Sequence, residues 1–164
     1  MTFDLSTRLK FRRISLHEYM LLNIRNFDFF RKSDSGKAIM FSGNSKLVTW
    51  LIAIPYVMSS ELVFFRTIRY YATLNNQIAG ILIVREEPET IYVSDLAVAP
   101  EYRKRGIATA MIGYCITIAK RMRKNWLELS VLKVNTPARK LYEKTGFVQK
   151  EDRRWSLILR KKTT

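Results

Sequence analysis

The stretch EYRKRGIATA, residues 101–110, combines residue types that can hold a phosphate group. It follows a segment that alternates like a β-strand, IYVSDLAV, and it leads into apolar residues at helical spacing. Gly106 lets the backbone take conformations that a Cβ blocks, and Ala108 keeps the first turn slim. Positive charge comes from three neighbours, Arg103, Lys104 and Arg105. Because the first N–H groups of a helix have no partner within it and attract anions, the pattern predicts an anion site at the start of a helix over 107–123.

The sequence lacks the motifs of several other common binding and catalytic sites. The chain has neither the GxxxxGK[ST] loop nor the GxGxxG turn, so the predicted ligand is neither a nucleoside triphosphate held in a P-loop nor a dinucleotide. His17 is the only histidine, no close set of ligands predicts a metal site, and no GxSxG turn supports a Ser-His-Asp triad. Cys115 is the only cysteine and falls on an apolar helical face, which predicts a buried thiol in a reducing, cytoplasmic compartment.

The elements around the anion site predict an α/β fold, either α+β or three-layer. A chain of 164 residues that is 48% hydrophobic suits one domain, over 1–164. Ser15 and Glu18 form a capping-box pattern that predicts the start of the first helix. The predicted strands span 8–14, 64–74, 78–84, 91–98, 126–132, 147–150 and 154–159, and further helices start near 45, 107 and 136. The resulting order is β-α-α-β-β-β-α-β-α-β-β.

One apolar segment needs separate treatment. The segment 47–58, LVTWLIAIPYVM, is shorter than the roughly 20 residues that cross a bilayer, and Pro55 interrupts it. It predicts a buried helix, or a wall of an apolar substrate pocket. The first residues, MTFDLSTRLKFRR, have no apolar core of a signal peptide, so we expect neither a leader nor a membrane span.

Two motifs resemble those of one family. The stretch VAPEYRKRGIATAMI, 98–112, resembles the acetyl-coenzyme A motif [RQ]xxGx[GA] of the GNAT superfamily of N-acetyltransferases. The stretch NTPARKLYEKTGF, 135–147, resembles that family's NxxAxxLYxxxGF motif. The resemblance covers about 8–159. It implies a GNAT-like fold, in which a mixed, mostly antiparallel central sheet has helices on both faces.

The resemblance also implies acetyl-CoA as co-substrate, without a metal. Its pyrophosphate would bind the backbone amides of one loop, formed by Arg103, Lys104, Arg105, Gly106, Ile107 and Ala108. The preceding strand would splay from its neighbour, so that its backbone pairs with the pantetheine arm at Leu96, Ala97 and Val98. Asn135 resembles an asparagine near that arm, and a plain helix N-cap is the alternative.

Tyr142 resembles the family's general acid, which protonates the departing CoA thiolate. The alternative for Tyr142 is core packing. The general base is open, because the slots that hold a glutamate in peptide-type and histone-type relatives resemble Ser130 and Tyr92 here. Asp95, which we expect on the same face as Val93 and Ala97, and Glu128 are the nearest acids, and each could act through water or be merely solvated. Glu61 could also reach the acceptor side.

The predicted acceptor is a primary amine on a small molecule or a peptide. In the resembling fold its pocket is shaped by 25–60 and by the closing hairpin at 149–156. That hairpin, KEDRRW, lacks the tyrosine-rich pattern of peptide Nα-acetyltransferases, which weighs against a ribosomal-protein acceptor. Either a monomer or a homodimer is compatible with the sequence.

The charge balance supports an alternative function. The chain carries 29 basic and 14 acidic residues, for a net charge of +15. Such a surplus suits a nucleic-acid or ribosome-associated binding domain with a vestigial CoA site. Against this alternative, we expect the seven basic residues within 100–125 to surround the phosphates of CoA, and no nucleic-acid motif is recognisable. A CoA sensor without turnover is the third possibility.

Overall fold

The computed structural model describes residues 8–15, 18–19 and 67–164. These ranges contain a 3₁₀ turn, Pro100–Tyr102, and the following elements: β1 (Leu9–Ile14), β2 (Thr67–Leu74), β3 (Gln77–Glu86), β4 (Thr90–Val98), α1 (Ile107–Arg121), β5 (Trp126–Leu132), α2 (Thr136–Lys144), β6 (Val148–Asp152) and β7 (Ser156–Lys162). The predicted order is confirmed for these elements. The helices predicted between 16 and 60, the apolar segment 47–58, His17 and Glu61 lie outside the described residues.

The seven strands form one sheet in the order β1-β2-β3-β4-β5-β7-β6. Every neighbouring pair is antiparallel except β4 and β5, which are parallel. The sheet is therefore mixed and mostly antiparallel, as predicted. Strand β4 lies at its centre, and its parallel pairing with β5 requires the crossover that α1 provides.

The hairpin of β2 and β3 turns at two asparagines. Asn75 and Asn76 both have left-handed backbone, with φ of 51° and 64°. Two consecutive left-handed residues suit a two-residue hairpin turn, and asparagine tolerates that conformation better than most residues. The turn predicted at this position is confirmed. So is the capping box, since the Ser15 N–H donates to the Glu18 carboxylate at 3.0 Å and the Glu18 N–H donates to Ser15 Oγ at 3.2 Å.

The main core lies between α1 and one face of the sheet. Its largest fully buried side chains include Leu82, Ile107, Met111 and Leu127. Cys115 is 0% exposed in the same core, so the predicted buried thiol is confirmed. A second, smaller cluster lies on the other face of the sheet and consists of Ile14, Tyr19, Tyr71 and Ile81. Burial of apolar side chains on both faces fixes the register of the central strands.

Element ends differ from the prediction where side-chain patterns are weak. Helix α1 ends at Arg121 rather than at residue 123, because Arg123 turns to left-handed backbone with φ of 53°. The closing strands run over 148–152 and 156–162 instead of 147–150 and 154–159. All five residues of β6 are exposed, so no apolar alternation marks its limits.

Gly80 lets β3 pass close to β4 and α1. A Cβ on this residue would lie 2.8 Å from the Ala97 carbonyl oxygen and 3.0 Å from Met111 Sδ. We therefore expect Gly80→Ala to lower the free energy of unfolding by about 1–3 kcal/mol, since a backbone atom must move. Gly113→Ala is the matched control, because a Cβ there meets nothing within 4 Å and alanine favours helix. Urea unfolding measures both, and an unfolding midpoint for Gly80→Ala at or above that of the parent would contradict the packing argument.

Candidate functional site

A cleft opens in the middle of the sheet where β4 and β5 diverge. The two strands pair from Thr90 and Trp126 as far as Val93 and Leu129. Beyond this point β4 continues to Val98 paired only with β3, while β5 continues to Leu132 paired only with β7. The backbone edge of β4 that faces the cleft is thus left without a strand partner, and an extended ligand can hydrogen-bond to such an edge.

A β-bulge in β4 lies at the start of the cleft. Val84 pairs with Val93 and Ile83 pairs with Asp95, so Ser94 is an extra residue with no partner on β3. One consequence corrects the sequence analysis. Val93 faces the main core with Val84, but Asp95 follows the bulge and faces the opposite side of the sheet, so the two residues do not share a face.

The three residues predicted to pair with an extended cofactor arm lie on the unpaired part of β4. Leu96, Ala97 and Val98 are each half-buried, and each is paired to β3 on one side only. Leu96 and Val98 pack against the main core, which holds the strand in place. The backbone of this segment is thereby fixed while its cleft-facing edge remains without a strand partner.

The loop before α1 presents backbone N–H groups. Lys104 and Gly106 have left-handed backbone, with φ of 58° and 82°. Gly106 is the N-cap of α1, provides no side-chain cap, and no acidic residue lies in the first turn. The N–H of Ala110 is the first to be satisfied, by the Gly106 carbonyl at 3.0 Å. The N–H groups before it, on Ile107, Ala108 and Thr109, therefore have no intrahelical acceptor.

Helix α2 differs from α1 in having a side-chain cap at its N-terminus. Its N-cap is Asn135, whose side-chain oxygen accepts from the Ala138 N–H at 3.2 Å. The capping role of Asn135 is therefore present in the structure, and its predicted second role, beside a cofactor arm, stays a prediction. Helix α1, unlike α2, begins without a side-chain cap, and a helix end of this kind can accept an anion.

The basic residues of the loop have two kinds of surroundings. Arg103 Nε donates to the Val98 carbonyl at 3.1 Å, which ties the loop to the end of β4. Arg105 lies over the Tyr102 ring at 5.7 Å, and both Lys104 and Arg105 are exposed. These cations can attract a phosphorylated ligand to the cleft.

The other four basic residues of 100–125 are elsewhere, contrary to the expectation that all seven surround one phosphate site. They are Lys120, Arg121, Arg123 and Lys124. Helix α1 rises about 1.5 Å per residue, so its last turn is about 21 Å from its first residue. The prediction grouped the seven residues because they are close in sequence. It was wrong for these four, because helix α1 places them at the opposite end of the sheet.

Tyr142 lies on α2 and is 8% exposed. Its ring meets that of Phe147 edge-on, with centroids 5.5 Å apart. Burial, together with the negative charge of Asp95, raises the pKa of Tyr142 to about 12. The hydroxyl therefore stays protonated at neutral pH and lies within electrostatic reach of the diverging part of β4. Packing and proton donation are both compatible with this position.

The candidate acids Glu128 and Asp95 differ in their surroundings. The side chain of Glu128 is 9% exposed, and both carboxylate oxygens accept from Lys150 Nζ, at 2.8 and 2.9 Å. This pairing occupies both carboxylate oxygens and weighs against Glu128 as the base. Asp95 is half-buried beside the cleft. Burial raises the pKa of Tyr92, and neither Tyr92 nor Ser130, the two glutamate slots of relatives, supplies a carboxylate here.

An exposed apolar patch beside the cleft was not predicted. Trp155, at 70% exposure, and Val134, at 86%, lie with Leu132 at the end of β5. The Lys133 N–H donates to the Trp155 carbonyl at 3.0 Å, which joins the closing hairpin to this end of the strand. We call these three residues the apolar rim. The only sequence signal was a tryptophan in an otherwise charged hairpin.

The described residues contain neither a metal-ligand cluster nor a membrane-spanning helix. Within 8–15, 18–19 and 67–164, no group of three or more His, Cys, Asp and Glu side chains is placed to hold a metal ion. Neither of the described helices has the length and apolar character needed to cross a bilayer.

Comparisons with known proteins agree with the two sequence motifs. The chain is 36% identical to an uncharacterised N-acetyltransferase of Methanocaldococcus jannaschii over 66 residues, which are 40% of this chain and only 29% of that protein. The fold of the present chain is similar to that of PaiA N-acetyltransferase from Thermoplasma acidophilum in complex with coenzyme A. The TM-score is 0.71 at 15% sequence identity, over 94% of this chain and 98% of the PaiA chain.

A second solved structure is the ribosomal-protein-S18-alanine N-acetyltransferase of Escherichia coli, with a TM-score of 0.70 at 16% identity over 95% of this chain and 94% of that one. These likenesses confirm the predicted fold class. The sequence profile of the acetyltransferase (GNAT) family matches residues 44–147, well over half of the chain. The protein therefore belongs to the GNAT family of acetyltransferases.

Proposed function

We propose that the protein, as one domain over 1–164, transfers the acetyl group of acetyl-CoA to a primary amine in a ternary complex. The observation that carries the proposal is the cleft between β4 and β5. Three features meet there: an unpaired backbone edge, an uncapped helix N-terminus and a buried, protonated tyrosine. The PaiA structure, which holds coenzyme A in a similar fold, supports the same assignment.

The residues present fit the shape and charge of coenzyme A. The pyrophosphate would bind the N–H groups of the loop that ends at Ala108, where Gly106 takes the left-handed backbone that a close approach needs. The pantetheine arm would hydrogen-bond to the free edge of 96–98, as an added strand does. When bound, acetyl-CoA supplies an activated acetyl thioester.

Tyr142 would act as the general acid. A thiolate is a better leaving group when a proton reaches it as the bond breaks, and the Tyr142 hydroxyl holds its proton at working pH. Backbone N–H groups near the bulge at Ser94 would polarise the thioester carbonyl, because the divergence of the strands leaves that edge of β4 without a partner.

The amine must lose a proton to attack. Glu128 is held by Lys150, and the Tyr92 and Ser130 slots carry no carboxylate, so no side chain described here acts as a direct base in this proposal. Water in the cleft would take the proton, with Asp95 as the nearest charged group able to stabilise it. The acceptor would enter past the apolar rim, whose exposed Trp155 suits an amine attached to an apolar or aromatic body.

An acceptor panel tests the function. Purified protein with acetyl-CoA is given amino acids, peptides with free N-termini, polyamines and aminoglycosides, and release of CoA thiol is followed. We expect turnover above thioester hydrolysis with at least one primary amine, and a mass increase of that amine by one acetyl group. Thiol release that no amine raises, in a protein that still binds CoA, would favour the sensor alternative.

A further inference from the structure

Five cations at the end of the sheet opposite the cleft are not used by the proposed function. They are Lys120, Arg121, Arg123, Arg160 and Lys162, and together with Trp126 we call them the basic end. None of the five forms an ion pair with a residue that the structure describes. Their charge is therefore not neutralised within the part of the chain that the structure describes.

Two distant segments meet at the basic end. The Thr163 N–H donates to the Asn125 carbonyl at 3.0 Å, and Thr163 Oγ1 donates to the Lys124 carbonyl at 2.6 Å. Trp126 and Lys162 are register partners on β5 and β7. These contacts hold the last residues of β7 directly against the turn that follows α1, so cations from both segments lie at one end of the sheet. Arg160 alternates with the core residues Leu157 and Leu159 and therefore faces away from α1.

The described acids at this end are engaged with other partners, including Glu128, the register partner of Arg160, which pairs with Lys150. Glu86 pairs with Lys124 at 2.9 Å, Glu87 pairs with Arg85 at 2.6 Å, and a Glu89 carboxylate oxygen accepts from the side chain of Asn125 at 2.7 Å. They do not neutralise the five cations of the basic end. A local positive field results, about 21 Å along α1 from the loop proposed to bind the pyrophosphate.

The composition of this surface favours nucleic acid over protein. The Arg160 guanidinium lies over the ring of Trp126, 4.4 Å from its centroid, which places a cation beside a half-exposed aromatic ring, a combination that can bind unpaired bases. A protein partner needs an apolar interface core, yet among the described residues the apolar rim lies at the other end of the sheet, and only Val148 is beside Arg160.

We propose that the basic end binds single-stranded nucleic acid, with its five cations on phosphates and the Arg160–Trp126 pair against the bases. Anisotropy of a labelled oligoribonucleotide of about 12 residues, a length that one such site accommodates, measures the affinity. Five phosphate contacts predict a slope of about −3.5 for log affinity against log salt. The affinity should therefore fall about 100-fold between about 50 and 200 mM KCl.

The test variant is Lys120→Gln/Arg121→Gln/Arg123→Asn, in which asparagine suits the left-handed backbone of residue 123. We expect its salt slope to fall to about −1.4, because two contacts remain. The matched control, Arg8→Gln/Lys10→Gln/Arg13→Gln, removes the same charge from exposed positions at the opposite edge of the sheet and should keep the parent slope. If the triple variant does not unfold at the parent's urea midpoint, the single variant Lys162→Gln replaces it, with an expected slope of about −2.8.

Several results would overturn the proposal. One is an equal loss of affinity in the control variant, and another is displacement of the RNA by excess CoA. A third is tighter binding of polyglutamate of the same charge, which would indicate an acidic protein partner instead. A DNA oligonucleotide of the same length distinguishes the source of the phosphates. Equal affinity for DNA supports contacts to phosphates alone, and a preference for RNA supports additional contacts to the 2′-hydroxyl.

Discussion

Replacing Tyr142 with phenylalanine is expected to lower kcat for acetyl transfer by about 100-fold or more, the usual contribution of a positioned general acid. Phenylalanine keeps the ring and its edge-on contact with Phe147, so CoA affinity and the free energy of unfolding should change little. The measurement is thiol release at saturating acetyl-CoA with the best amine of the panel. Unchanged kcat in a folded variant would reduce Tyr142 to a packing residue.

The pH dependence gives a second measure of the same role. Because the pKa of Tyr142 is raised to about 12, the hydroxyl remains protonated as pH rises from 6 to about 10. Over this range the acceptor amine loses its proton and becomes nucleophilic, so kcat/KM should rise with pH and then level off. A fall of kcat/KM near pH 8–9 in the parent, absent from Tyr142→Phe, would contradict the raised pKa.

Gly106→Val is expected to weaken CoA binding by about 100-fold. Gly106 has φ of 82°, a conformation that a β-branched residue avoids, and the Cβ of valine would stand at the N-terminus of α1, where we propose that the pyrophosphate binds. Loss of about two charge-assisted hydrogen bonds, at about 1.5 kcal/mol each, corresponds to that factor. Calorimetric titration with CoA measures the change.

The variant Gly106→Asn distinguishes steric blocking of the proposed phosphate site from strain in the backbone. Asparagine tolerates left-handed backbone, so this variant should fold with nearly the parent stability while its side chain still occupies the approach. Affinity intermediate between the parent and Gly106→Val supports a phosphate site at this helix end. CoA affinity equal to the parent in both variants would place the pyrophosphate elsewhere.

The sequence predicted local features well because each rests on a few neighbouring residues. The glycine turn before α1, the asparagine turn at 75–76, the cap at Asn135 and the burial of Cys115 are of this kind. It failed where the answer depends on a distant strand. The bulge at Ser94 arises from the register with β3, and a smooth pattern such as IYVSDLAV gives no sign of it.

The features of the candidate site also separate into those that depend on neighbouring residues and those that depend on distant strands. The loop before α1 and the motif that carries Tyr142 are each continuous in sequence, so both could be proposed from the sequence alone, and their roles stay predictions. The pairing of Glu128 with Lys150, by contrast, joins β5 to β6 across β7, and the exposure of Trp155 depends on how the closing hairpin meets β5. Contacts of this range are decided by tertiary packing, which one sequence does not display.

The burial of Cys115 makes it a reporter of unfolding. The thiol is fully enclosed, and burial raises its pKa to about 12, so almost none of it is thiolate at neutral pH. Thiolate is the form that reacts with disulfide reagents. In the folded protein such reagents will therefore report only CoA released by turnover, while any slower reaction of the protein itself will time the opening of the core around α1.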